Sequence, residues 1–127
     1  MVPAAGAEGV CRVPQLVFAL PVLEGRRQLI EQAVQSTTGD LQTLHDASVH
    51  DKGIDRFTIW FQPAPPTDLL IFYFEAPDPH ESVRLLVEST DAVDVFVKDT
   101  IRYACGFTLG PDNPAPDAQV VMEWPPS

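Results

Sequence analysis

Residues 56–76 read RFTIWFQPAPPTDLLIFYFEA, and the fold of this chain turns on how that stretch is paired. Two runs rich in aromatic and branched residues, 54–62 and 69–76, flank Pro63, Pro65 and Pro66. Such runs are expected to be strands. The prolines have no N–H to give a ladder, so they force the turn between them. A six-residue loop from Pro63 to Asp68 pairs Gln62 with Leu69. It then sets Trp60 opposite Ile71, Thr58 opposite Tyr73 and Arg56 opposite Glu75. The charge pair and the aromatic set favour this register, and a one-residue slip would scatter both. Side chains alternate across a strand. One face is therefore wholly apolar, with Phe57, Ile59, Phe61, Leu70, Phe72 and Phe74. The other is mixed, with Arg56, Thr58, Trp60, Gln62, Leu69, Ile71, Tyr73 and Glu75. Both faces need a cover. Helices are expected on the first, and a second copy of the chain on the second.

Upstream, residues 15–22 (QLVFALPV) suit a buried strand. Ile30, Val34, Thr37, Leu41, Leu44 and Ser48 then recur at helical spacing, an amphipathic helix of about seven turns. Gly39 inside it costs about 1 kcal/mol relative to Ala, which predicts a kink or break near residues 38–40. Lys52-Gly53 is a stop signal. Downstream, Asp78-Pro79-His80-Glu81 starts a helix, with Asp78 as cap and Pro79 in the first turn. Ser89-Thr90-Asp91 interrupts it and caps another, in which Val93, Phe96, Val97, Ile101 and Ala104 recur until Gly106. Residues 107–118 hold Pro111, Pro114 and Pro116 and read as a loop. Residues 119–124 (QVVMEW) read as a last strand. The order is βαββαβ. It predicts an α+β, ferredoxin-like domain, with helices on one face of a four-stranded antiparallel sheet.

The chain has 127 residues, enough for one domain, expected over 14–127. Residues 1–13 read as a disordered leader. The first 22 residues lack a basic start, and Pro14 and Pro21 break their apolar part, so they do not read as a signal peptide. Eighteen acidic residues against eight basic ones give a net charge of −10. That disfavours nucleic acid, whose phosphates call for clustered Lys and Arg, and an anionic membrane surface. No apolar run approaches the roughly 18 residues of a membrane span. Cys11 and Cys105 read as free thiols in a reducing compartment, and the expected location is cytoplasmic. Cys105, at the end of an apolar helix, reads as a buried inert thiol.

The order of elements resembles the dimeric α/β-barrel superfamily, in which two ferredoxin-like sheets pack face to face. The pieces that carry the likeness are LVFALPVLEGR (16–26), HDASVHDKGI (45–54), RFTIWFQP (56–63), DLLIFYFEAPDP (68–79), STDAVDVFVKDTI (89–101) and PDAQVVMEW (116–124). Within that superfamily the chain is similar to an uncharacterised family of small stand-alone bacterial domains. Around His45 and residues 49–51 it departs from the pattern, where the resemblance implies a tyrosine and more basic residues. Relatives in the wider superfamily include cofactor-free monooxygenases, aromatic cyclases, haem-degrading enzymes and stress-response proteins without known activity. The resemblance thus implies a homodimer that binds an apolar or aromatic small molecule and acts on it without a cofactor, as a monooxygenase, cyclase or isomerase. The alternative is a non-catalytic stress-response or interaction protein whose sheet face only forms the dimer.

The candidate catalytic residues are Glu75, His45 and Tyr73. Tyr73 suits a phenol or carbonyl partner, and Glu75 or His45 suits proton transfer. Arg56, Thr58, Trp60, Gln62 and Ile71 are the candidate ligand-binding residues, a cavity wall with few polar groups. A dimer interface with an internal ion pair between Arg56 and Glu75 explains the same residues without chemistry. His45 and His50 are five apart, not the four of a helical zinc pair. No CxxC, phosphate loop or Ser-His-Asp order is present. No metal or cofactor is expected.

Overall fold

The computed structural model describes residues 14–125; the expected leader, 1–13, lies outside the described residues. The chain runs β1 (Gln15–Pro21), α1 (Arg27–Thr37), α2 (Gln42–Asp51), β2 (Arg56–Gln62), β3 (Leu69–Glu75), α3 (Pro79–Glu88) and α4 (Ala92–Cys105). The strands form one antiparallel sheet in the order β1-β3-β2. The hairpin takes the expected register: Arg56 lies opposite Glu75, Thr58 opposite Tyr73, Trp60 opposite Ile71 and Gln62 opposite Leu69. Asp68 helps to close the loop by accepting the Ala64 N–H at 3.0 Å.

The expected fourth strand is not there. The four-stranded ferredoxin-like sheet, and the dimeric α/β barrel built on it, are corrected to a three-stranded α+β arrangement. Residues 119–124 make no ladder. The segment meets the sheet just before them, where the Ala118 N–H donates to the Val17 carbonyl at 2.8 Å. Beyond that point Val120, Val121, Met122 and Trp124 are exposed, Val121 at 96%. Pro116 before this run and Pro125 after it bring no N–H to a ladder on β1.

The expected helix break is real. α1 stops at Thr37 and α2 begins at Gln42. A Cβ on Gly39 would stand 2.7 Å from the Gln35 carbonyl oxygen. Glycine is therefore the residue that lets the chain turn this tightly. α2 ends as expected, with Gly53 at a left-handed φ of 73°. Asp78 caps α3 by accepting the Glu81 N–H at 3.2 Å. The Glu81 carboxylate is held by Arg84.

All four helices lie on the face that carries Phe18, Leu70 and Phe72, and the core sits between them. Phe18 and Phe72 stack with ring centroids 4.6 Å apart. Burying each ring contributes roughly 2–3 kcal/mol. α4 packs against α1 and α2. The cover is uneven, because β1 and β3 are roofed while the edge strand β2 is less so. Ile59 points to the helix side yet remains 43% exposed. That gap in the helical layer positions the site.

Candidate functional site

Where the helices leave β2, the sheet forms the floor of an open cleft of about 370 Å³. Phe57 and Ile59 of β2 and Leu70 and Phe72 of β3 make the floor. α1 supplies one wall through Ile30, Ala33 and Val34, and α4 supplies another through Phe96, Val97 and Ile101. Volume and lining fall within the range of small-molecule sites, at the small end. A second cavity of about 80 Å³ adjoins it. The two share His45, Phe57, Ile59, Phe72, Val97 and Ile101.

His45 stands at the junction. Its ring meets Phe57 edge-on, with centroids 5.6 Å apart. Among the described residues its ring nitrogens have no hydrogen-bond partner, so their donor and acceptor capacity is unspent. The break at Gly39 turns α2 across the mouth of the cleft, which is how His45 reaches this place.

The smaller cavity ends on a buried polar cluster of Ser48, Lys52 and Asp94. Lys52 Nζ lies 2.7 Å from Asp94 Oδ2, and the two side chains are only 9% and 4% exposed. Ser48 Oγ donates to Asp94 Oδ1 at 2.5 Å, and Ser89 Oγ donates to Oδ2 at 2.5 Å. Lys52 also bonds Ser48 Oγ and, at 3.3 Å, the Ser48 carbonyl. Burial alone would raise the Asp94 carboxyl. The hydrogen bonds from Lys52, Ser48 and Ser89, with the Lys52 charge, outweigh it and hold the group below its ordinary range. A charge this deep is tolerable only because it is paired and fully bonded.

The sequence signal for this cluster was available in part. Ser48 lies on the apolar stripe of α2, with Lys52 four residues on. Asp94 stands three and seven residues before Val97 and Ile101, on the buried face of α4. An acid on an apolar stripe needs a partner, but no spacing names Lys52, 42 residues away, as that partner.

Arg56, Thr58, Trp60, Gln62, Ile71, Tyr73 and Glu75 all share the opposite, helix-free face. None of the seven lines the cleft or its side cavity. The sheet thus separates His45 from Tyr73 and Glu75. Trp60 and Tyr73 meet at an angle of 62°, with centroids 6.3 Å apart. The Tyr73 hydroxyl donates to Glu75 Oε2. That bond, with partial burial and the Glu75 charge, raises the Tyr73 pKa against a small opposing effect of Arg56. The phenol stays protonated and is a donor, not a base. Arg56 and Glu75 are cross-strand neighbours, and Glu75 bonds Tyr73 rather than forming the expected ion pair.

Cys105 is buried at the end of α4, and burial pushes its thiol up to about 11. It is inert at neutral pH. Arg102, three residues before it, is held by Asp99 and stacks on Tyr103. His80 bonds Asp117 at 2.5 Å on the surface. Among the described residues no three His, Cys, Asp or Glu side chains gather as metal ligands. Among them, too, no helix is long and apolar enough to cross a membrane. Compared with known proteins, the chain matches no protein family, no curated protein and no solved structure.

Proposed function

We propose that this protein binds a small apolar or aromatic molecule in the cleft between helices and sheet, with His45 as its polar contact. The observation that carries this reading is the cleft itself. It has about 370 Å³ of space, ring-lined on its floor, and a histidine with unspent hydrogen-bonding capacity on its wall. Apolar concavities with a few polar groups are the usual form of such sites. Any chemistry here is proton transfer at the His45 ring, the class of step used by cofactor-free isomerases, cyclases and oxygenases. The helix-free face supports a second part of the reading, a homodimer formed through Trp60, Ile71 and Tyr73. Trp60 is 49% exposed, and no helix covers it. Trp and Tyr are the residues that anchor interfaces. The two parts use opposite faces, so ligand and partner do not compete. A buried, unpaired Cys105 accords with a cytoplasmic setting.

The test is to fill the cleft. Ala33→Trp, on the α1 wall, places an indole where the ligand lies. Titration with N-phenyl-1-naphthylamine, a neutral dye that brightens in apolar sites, should saturate the wild type. At dye concentrations well below the wild-type Kd, the filled variant should lose at least about 90% of the signal, as expected for a tenfold or greater loss of affinity. Equal dye binding by both proteins would remove the cleft from consideration. The protein would then be the non-catalytic alternative, one that uses its sheet face alone.

A further inference from the structure

Resting on the cleft reading, we infer that the ligand is a neutral or cationic aromatic molecule that carries an O–H or N–H donor. It places that donor in the side cavity, against Ser48 and Asp94.

The argument is a count of hydrogen bonds at the closed end of the cavity. An ammonium has three N–H donors. Lys52 directs them at Asp94 Oδ2, Ser48 Oγ and the Ser48 carbonyl. Ser48 has one hydroxyl hydrogen, and it goes to Asp94 Oδ1. Ser89 spends its own on Asp94 Oδ2. The cluster therefore has no donor left. It does have acceptor capacity: Ser48 Oγ receives one bond and Asp94 Oδ1 receives one, and each oxygen has two lone pairs. A hydroxyl or amine entering the cavity finds a partner. At the Ser48–Asp94 end a carbonyl or ether oxygen meets only lone pairs and goes unsatisfied, since the one free donor nearby, the His45 ring N–H, stands at the junction with the cleft.

Size assigns the parts of the ligand. The side cavity holds about 80 Å³, against the roughly 150 Å³ of an engineered cavity that admits benzene. A substituent enters it, and the ring does not. The ring lies in the larger cleft, on Phe57 and Phe72, beside His45. Charge excludes the anion. Lys52 and Asp94 cancel each other, and Asp46 at the cleft adds a negative charge in a chain of net −10. No unpaired cation lines either space to receive a carboxylate.

Three probes of one shape test this on the intact chain: 2-naphthol, its methyl ether and 2-naphthoate. Titration calorimetry reads affinity, and methyl NMR shifts at Ile59 and Ile101 locate the binding. The expected result is that naphthol binds about tenfold tighter than the ether, one hydrogen bond's worth, and that naphthoate binds weakest. Ser48→Ala should bring naphthol and ether to within about threefold, by removing one acceptor. Val83→Phe, on the wall of the side cavity and not of the cleft, should narrow the same gap by filling that cavity, and so serves if Ser48→Ala fails to fold. Equal binding of naphthol and ether by the wild type would overturn the donor inference while leaving the cleft in place. So would tightest binding of naphthoate. If no probe shifts the two isoleucines, the cleft reading fails and takes this inference with it.

Discussion

The two faces of the sheet are built from the same few strands and both carry aromatic side chains, five phenylalanines on one against Trp60 and Tyr73 on the other, yet they differ in what they can do. On the helix side, Phe18 and Phe72 stack under α1 and α4, and the roof ends short of β2. Ile59 is left half-open, and a concavity results. On the other side Trp60 and Tyr73 lie edge to face on a sheet that no helix covers. That surface offers apolar area without enclosure. Aromatic residues alone do not make a pocket; incomplete cover does. In the proposed function the receptive face is therefore the one that looks most like core in the sequence, and the face with the more reactive-looking side chains is the adhesive one.

The sharpest way to break this division is to remove the charge at the end of the side cavity. Asp94→Ala leaves Lys52 buried without a partner, and loss of one member of such a pair costs about 3–5 kcal/mol. Urea unfolding should show that loss. Replacing the pair together, Lys52→Met with Asp94→Leu, should cost far less, because no orphan charge remains. Acid should act in the same direction. The folded Asp94 carboxyl lies below its ordinary 3.8, so on acidification the unfolded chain takes up the proton first. The stabilisation is complete above the unfolded value and is lost as pH falls through the folded one. A wild-type stability curve that stays flat from pH 5 to pH 2 would contradict the pairing.

The adhesive face is tested by Trp60→Asp. The wild type should sediment as a dimer at micromolar concentration. The variant should dissociate with a Kd raised roughly 30-fold or more, the effect of losing an interface anchor worth about 2 kcal/mol. Its dye binding in the cleft should not change, because Trp60 lies on the far side of the sheet. Loss of both dimer and dye would show that the faces are not independent, and a monomeric wild type would remove the interface altogether.

What the sequence disclosed follows the same physical division between local and distant constraints. The hairpin register was legible because alternation has a period of two and any slip exposes Phe57, Phe72 and Phe74. The break at Gly39 was legible because it is a local steric matter, the approach of one carbonyl. The Ser48, Lys52 and Asp94 cluster escaped notice because its members come from two helices 42 to 46 residues apart. His45 was recognisable as a candidate, and its separation from Tyr73 and Glu75 was implicit in the alternation that sets helices on the Phe57 face and those two residues on the other. The false fourth strand came from reading local β-propensity in QVVMEW as pairing; the segment meets the β1 edge once, at Ala118, and makes no ladder beyond it.

That segment gives the smallest predicted effect and the finest test of the comparison. It is fixed to the body at two points just before it begins, the bond between His80 and Asp117 and the Ala118 bond to Val17. Deletion from Gln119 onward leaves both in place. Val120, Val121, Met122 and Trp124 are mostly exposed and bury little apolar area. Their removal should shift unfolding stability by no more than about 0.5 kcal/mol, as for surface changes away from packed groups. The measurement is the urea midpoint at unchanged slope, with sedimentation alongside. A loss above about 1.5 kcal/mol would mean that these side chains pack on the body, because burial of even one of them contributes about that much. Unchanged stability with loss of the dimer would place the segment in the adhesive face. The sheet would then owe its partner surface partly to chain beyond β1's edge, and not to Trp60 and Tyr73 alone.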